Sequence, residues 1–291
     1  MIGSISTQDP QFQFFTFFHK IPHHHIMRLL LTKPATVSFA RVRFRSMSTL
    51  FPQPTEARAH ELVENYNKIL AKVHALNPKT RLVAVSKFKP SSDIMALYSI
   101  GVRHFGENYV QELVAKSEEL PKDICWHFIG GLQSGKCKDL SNRVTNLWAV
   151  ETVDTLKKCR QLNNARERKE GEIINVYLQV NTSGEEQKSG FLEMGDLEET
   201  IKYIQSDECK KLNLIGLMTI GSIAESKSDH EENNDFKKLV EWKKILDKKY
   251  QLDLELSMGM SNDFEQAIRQ GSSCVRVGSS IFGARPPRLE K

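Results

Sequence analysis

The chain lacks any C-x-x-C pair, and its cysteines are odd in number: Cys125, Cys137, Cys159, Cys209 and Cys274. This argues against a disulfide framework and fits buried or half-buried thiols in a reducing compartment. Long apolar runs are missing too. The aromatic-rich stretch from Gln11 to Phe18 falls well short of the ~20 residues that span a bilayer, so no membrane partner is expected. A charge excess of one sign is also missing from most of the chain. The formal net charge is +5, but residues 1–50 set six basic side chains (Lys20, Arg28, Lys33, Arg41, Arg43 and Arg45) against one acidic one (Asp9). The rest of the chain is therefore neutral overall, without the footprint of a nucleic-acid binder. With 40% hydrophobic and 26% charged residues in a chain of 291, a globular body with a sizeable core is expected.

Residues 1–46 read as a separate, disordered extension. From Met27 the sequence runs Met-Arg-Leu-Leu-Leu-Thr-Lys-Pro and then alternates apolar residues with arginines and no acid, a pattern that resembles a mitochondrial transit peptide. Pro34 breaks any continuous helix there. The alternative is a tail with no address. Met27 and Met47 are candidate internal starts, so a mitochondrial form and a shorter cytoplasmic form starting near Met47 are expected. The run His23-His24-His25 carries no specific role.

Residues 47–291 alternate short apolar runs with amphipathic stretches. Leu62, Val63, Tyr66, Ile69, Leu70 and Val73 recur at helical spacing. Strand candidates follow at Leu82–Val85, Val102–Phe105, Trp126–Ile129, Leu147–Val150, Ile173–Val180, Leu214–Met218, Leu254–Ser257 and Cys274–Val277. Helical stretches such as Val153–Arg166, Asp196–Gln205 and Asn233–Lys249 separate some of them, and Pro90 is placed just inside a helix start. The segment Glu225–Asp235 reads as a solvated loop. Eight such units in one uninterrupted series predict an α/β fold, a single (β/α)8 TIM barrel. Polar and glycine residues gather where the strands end, on the face where such barrels carry function.

Lys87 closes the first strand. Side chains alternate along a strand, so Val83, Val85 and Lys87 point into the barrel while Leu82 and Ala84 face the helices. A lysine among valines is partly desolvated, which favours the neutral amine that attacks carbonyls. A lysine whose tip reaches the rim is the plainer alternative. At the other end of the chain, Ser261, Gly278 and Ser279 lie after strands seven and eight, where barrels often bind phosphate, although an ordinary glycine turn has the same pattern. Arg276, two residues before Gly278, places a fixed cation just below. Together these three features point to a phosphorylated aldehyde. Pyridoxal 5′-phosphate (PLP) fits, with Arg276 at the pyridine nitrogen.

Several longer motifs are ordered along the chain: Ala84-Val85-Ser86-Lys87, Gly106-Glu107-Asn108-Tyr109-Val110-Gln111-Glu112, Trp126-His127-Phe128-Ile129-Gly130, Gly216-Leu217-Met218-Thr219, Leu256-Ser257-Met258-Gly259-Met260-Ser261 and Val275-Arg276-Val277-Gly278. In these the chain resembles the pyridoxal phosphate homeostasis protein family, from about Thr55 to Pro287. The resemblance implies a barrel like the N-terminal domain of alanine racemases. It also implies PLP as a Schiff base on Lys87, Arg276 facing the ring, and phosphate held by Ser261, Gly278 and Ser279. Asn108 and Met258 would line the site. One departure is Gly130-Gly131-Leu132-Gln133, where many relatives carry one glycine and then a bulkier residue.

Racemisation needs proton donors and acceptors on both faces of the ring. The racemases complete their site with a second domain, and none is expected here, because the chain ends thirteen residues beyond Gly278. A permanently charged arginine disfavours protonation of the pyridine nitrogen. With the resemblance, these features lead to the expectation of a PLP carrier in vitamin B6 homeostasis that serves PLP-dependent apoenzymes, without catalytic residues, metal or robust turnover, and the neutral body and missing lid suit a monomer. The competing readings are a PLP-dependent racemase or lyase and a Schiff-base sugar-phosphate aldolase. His127 could act as a base in either one, but at a strand end beside Trp126 it reads first as a packed, hydrogen-bonded core residue.

Overall fold

Parallel strands alternate with helices from the first turn of the described chain to the last. A computed structural model describes residues 50–227 and 232–284. The extension 1–46, with its targeting pattern, lies outside the described residues. The order is α1 (Glu56–Leu76), β1 (Arg81–Val85), α2 (Ser91–Tyr98), β2 (His104–Glu107), α3 (Val110–Glu119), β3 (Cys125–Phe128), α4 (Cys137–Arg143), β4 (Leu147–Val153), α5 (Leu156–Arg168), β5 (Ile174–Gln179), α6 (Met194–Ile204), β6 (Leu212–Met218), α7 (Ile223–Ser226), α8 (Asn234–Tyr250), β7 (Glu255–Ser257), α9 (Phe264–Arg269), β8 (Cys274–Val277) and α10 (Ser279–Phe282). The eight strands close in chain order, with β8 pairing back to β1. This is the (β/α)8 barrel that the alternation predicts.

The helices start where short polar side chains can satisfy first-turn N–H groups. Thr55 accepts from Arg58, Thr155 from Lys158 and Asn233 from Phe236. Their apolar stripes meet the outward faces of the strands. Leu82 and Ala84 of β1 join Leu62, Val73, Ile94 and Leu113 in one continuous core. Val83 and Val85 point the other way, within 3.1–3.5 Å of the space a side chain at Gly106 would fill. This inside–outside alternation sends Lys87 into the barrel mouth.

Besides shifts of a few residues at element ends, such as β2 at His104–Glu107 against the expected Val102–Phe105, three details differ from the sequence reading. Strand β4 continues through Glu151 to Val153, because the Glu151 charge has buried partners on β3, β7 and β8 and does not have to mark the strand end. Pro90 is the N-cap of α2, one residue outside the helix. Asp235 is not part of a solvated loop. It lies in the first turn of α8, buried, and accepts the Ser222 N–H at 2.7 Å.

All five cysteines are free, either buried or half-buried. Burial pushes the Cys137 thiol up to about 11 and that of Cys274 to about 12, so both stay protonated and unreactive near neutrality. The N-terminal end of the barrel is plugged by an ion pair of Arg81 and Glu255 at 2.7 Å, capped by the Tyr177 hydroxyl, with the Arg81 guanidinium over the Trp148 ring. Gly216 passes this plug closely. A Cβ there would stand 2.4 Å from the Glu255 carbonyl oxygen and 2.6 Å from the Tyr177 ring. Gly216→Ala is expected to lower the unfolding free energy by about 2–3 kcal/mol, read as a lower urea midpoint at unchanged slope. An unchanged midpoint would show that the plug yields freely.

Candidate functional site

Lys87 leaves β1 in a tight turn. The Ser86 N–H donates to the Gly106 carbonyl at 2.9 Å, and the Lys89 N–H returns to the Ser86 carbonyl at 3.0 Å. Phe88 takes φ 61°, in the left-handed region that bulky residues avoid. The turn opens on a cavity of about 540 Å³ at the C-terminal ends of the strands. Lys87, Asn108, Ser261, Arg276, Gly278 and Ser279 all line it. Six of the seven residues expected at the site are thus brought to one cavity.

The seventh is not among the lining residues. Met258 is fully buried in the layer between strands and helices. Alternation explains this: Ser257 of β7 faces the barrel interior and hydrogen-bonds Arg276, so Met258 must face outward. The methionine that lines the cavity is Met260, on the loop that follows.

The loops after β7 and β8 meet directly, with the Gly278 N–H donating to the Ser261 hydroxyl at 3.3 Å. The first-turn N–H groups of α10 follow at Ser279 and Ser280, and such groups have no partner inside their own helix. Asn108 carries a side-chain oxygen that is buried without a hydrogen-bond partner. The Asn108 backbone is packed against Gly130, where a Cβ would fall 2.0 Å from the Asn108 carbonyl oxygen. Glycine is therefore required at 130, while Gly131 faces open space. Gly131 is not among the residues that line the cavity.

Arg276 is buried and held from below. Its Nη1 donates to the Ser257 hydroxyl at 2.5 Å and its Nη2 to the Thr219 carbonyl at 2.8 Å, and Glu151 Oε2 lies 3.7 Å away. The Ser257 hydroxyl in turn donates to Glu151. His127 Nδ1 meets the other Glu151 oxygen at 2.6 Å, and His104 Nδ1 meets His127 Nε2 at 2.9 Å. Burial alone would raise the Glu151 carboxyl. The hydrogen bond and charge of His127, the Arg276 charge and the Ser257 hydroxyl outweigh it and hold the group below its usual range. Burial, and then the charges of His127 and Arg81, push His104 down to about 3, so it is neutral. His127 is thus a packed, doubly hydrogen-bonded core residue below the cavity.

A second buried group lies behind Lys87. Glu107 accepts from the Ser86 hydroxyl at 2.6 Å and from Lys116 at 2.7 Å. From the sequence, Glu107 and Glu151 read only as polar residues at strand ends and Ser257 only as part of a family motif, and Lys116 was not singled out. The available signal was position: Lys116 follows Leu113 by one helical step on the buried face of α3, and Ser257 sits in an apolar strand. Among the described residues, no His/Cys/Asp/Glu cluster suits a metal ion.

The alanine racemase N-terminal domain model matches residues 58–286. The pyridoxal phosphate homeostasis protein of Schizosaccharomyces pombe is 53% identical over 206 residues, covering 70% of this chain and 84% of that protein. The chain belongs to the pyridoxal phosphate homeostasis protein family. The human member is 44% identical over 216 residues, covering 70% of this chain and 76% of its own. PipY of Synechococcus elongatus, solved with PLP bound, superposes with a TM-score of 0.65 at 30% identity, over 76% of this chain and all of that one. An alanine racemase of Clostridium difficile (TM-score 0.62, 14% identity, 79% of this chain and 61% of that one) shares the fold.

Within this family member, burial pushes the Glu107 carboxyl up to about 7, against the pull of Lys116 and with the added repulsion of Glu112. The unfolded carboxyl releases its proton near its ordinary value of 4.5. Between those values the folded state binds more protons, so stability falls as pH rises through the window. Relative to Glu107→Gln, the wild type is expected to lose up to about 3 kcal/mol between pH 4.5 and above 7, measured by urea unfolding at each pH. A pH-independent difference would place Glu107 as an ordinary carboxylate.

Proposed function

We propose that the protein holds PLP covalently on Lys87 and hands it on, without robust turnover of its own. The observation that carries this reading is that an amine, a buried guanidinium and two hydroxyl-bearing loops face one cavity. PLP supplies an aldehyde carbon that a primary amine captures reversibly, with loss of one water. Lys87 offers the amine. Ser261, Gly278 and Ser279 offer two hydroxyls and backbone N–H groups to the phosphate. Arg276, always charged, donates toward the pyridine nitrogen and disfavours its protonation. The unpartnered Asn108 side-chain oxygen offers a further polar contact on the cavity wall.

The wall supports a carrier better than an enzyme. Among the described residues that line it there is no carboxylate, imidazole, phenol or thiol, the side chains that usually move protons in catalysis. Of the three other lysines on the wall, Lys89 donates to the Ala284 carbonyl and Lys188 to the Gly221 carbonyl and Glu185, while Lys227 is exposed. The acceptors in this reading are PLP-dependent apoenzymes, served by a monomer in the cytoplasm. A mitochondrial form would carry the N-terminal extension. Among the described residues no helix is long and apolar enough to cross a membrane.

Purified protein with PLP is expected to show a visible absorbance band that bleaches with borohydride, leaving the reduced adduct on the Lys87 peptide. Lys87→Ala is expected to abolish both, and amino-acid racemisation should stay at background. A colourless protein that takes up no PLP would favour a sugar-phosphate aldolase. Steady racemisation lost in Lys87→Ala would make the protein an enzyme.

A further inference from the structure

The turn that presents Lys87 is gripped from both sides by ionic groups outside the cavity wall. Lys116 is 6% exposed, and its ammonium donates to three oxygens: the Ser86 carbonyl at 2.9 Å, Glu107 Oε1 at 2.7 Å and Glu112 Oε1 at 2.7 Å. All three of its N–H groups are thereby used. The same Glu112 oxygen accepts the Phe88 N–H at 2.7 Å. The carbonyl before Lys87 is thus fixed through Lys116, and the N–H after it through Glu112. A third tie joins the Ser86 hydroxyl to Glu107.

The backbone so held is one that its sequence resists. Phe88 sits at φ 61°, where a Cβ is disfavoured. Burial of the ring does not account for this, because Phe88 is 46% exposed and its ring contact is with exposed Tyr109 at 4.9 Å between centroids. What opposes the strain is the pair of charge-assisted bonds on either side of Lys87. Backbone strain of this kind persists where its surroundings over-determine it, and it gathers at functional sites.

We propose that Lys116, Glu112 and Glu107 are positioning residues for the Lys87 amine. The buried cluster holds Ser86–Phe88 in its strained turn, so that the amine is aimed into the cavity before the aldehyde arrives. This rests on Lys87 being the residue that captures PLP. Such a device acts on the competent fraction of the free protein. It therefore governs how fast the aldehyde is captured and leaves release nearly untouched.

The test uses the full chain as apoprotein, with Glu112→Gln as the principal variant because Glu112 is only partly buried. Glu112→Gln keeps the size of the side chain and removes the charge from both of its bonds. Lys116→Met is the stronger variant, read only if it melts as a folded protein. Stopped-flow growth of the visible band with PLP gives the capture rate, and a chase with a competing amine gives release. Capture is expected to slow about tenfold or more with release changed less than about twofold. Exchange of the Phe88 amide in the apoprotein is expected to accelerate. Adding Phe88→Gly to Glu112→Gln should restore most of the lost capture rate, because glycine enters φ > 0 freely. A merely structural defect would not be repaired by a glycine. Wild-type capture rates in Glu112→Gln, or slowing that tracks melting temperature and is not rescued by Phe88→Gly, would overturn the proposal and leave the cofactor reading standing. Failure of the wild type itself to take up PLP would overturn both.

Discussion

A guanidinium cannot shed its proton, so the interior of this barrel is organised by the need to keep Arg276 charged while it is buried. A buried charge without a partner costs several kcal/mol. The carboxylate of Glu151 supplies the opposite sign, and its own burial then demands donors for both oxygens. Ser257 and His127 provide them, and His104 completes His127. The network therefore draws on β2, β3, β4, β7 and β8, and the Thr219 carbonyl after β6 takes a further guanidinium N–H. One permanent cation thus fixes what six of the eight barrel units contribute at this level. It also fixes the cation itself: with two N–H groups committed downward, the guanidinium reaches the cavity in a set orientation.

Lys116 repeats the same physics with a different result. It too is a buried cation balanced by carboxylates, yet it does not line the cavity. Apolar replacements of such pairs are often neutral or stabilising, so stability gives little reason to retain either. Orientation gives a better one. The Arg276 network aims a side chain at the ligand space, whereas the Lys116 network aims a stretch of backbone, the turn that carries Lys87. The raised Glu107 carboxyl and its unpartnered second oxygen mark how far this second network departs from what folding alone would select.

The barrel was legible because each strand is a short apolar run with a polar end, and that repeat does not depend on long-range contacts. The in–out alternation of Leu82 to Val85 placed Lys87 correctly for the same reason. Glu151 was misread as a strand end because its partners lie 24 and 106 residues away, and a lone acid after an apolar run looks like a boundary. Asp235 was misread similarly, since its partner Ser222 lies across a stretch of polar sequence. Met258 is a different case. The alternation that joined Arg276 to Gly278 would also have put Ser257 inside and Met258 outside, so the information was present, but the family resemblance outweighed it. Lys116 showed a lysine at core spacing on α3, but nothing local revealed which oxygens would receive it.

The two networks also bear on what the cavity can do. Histidine and glutamate are the side chains best suited to moving protons, and the barrel has both close to Arg276. Each is already committed: His127 is bonded at both ring nitrogens, and Glu151 at both oxygens, beneath the guanidinium. Glu107 is likewise turned away, toward Ser86 and Lys116. What remains on the described wall is the Lys87 amine, a fixed cation, hydroxyls, amides and three further lysines, of which Lys89 and Lys188 are bonded to carbonyl oxygens. In the carrier proposed above, these groups would hold the phosphorylated aldehyde and release it.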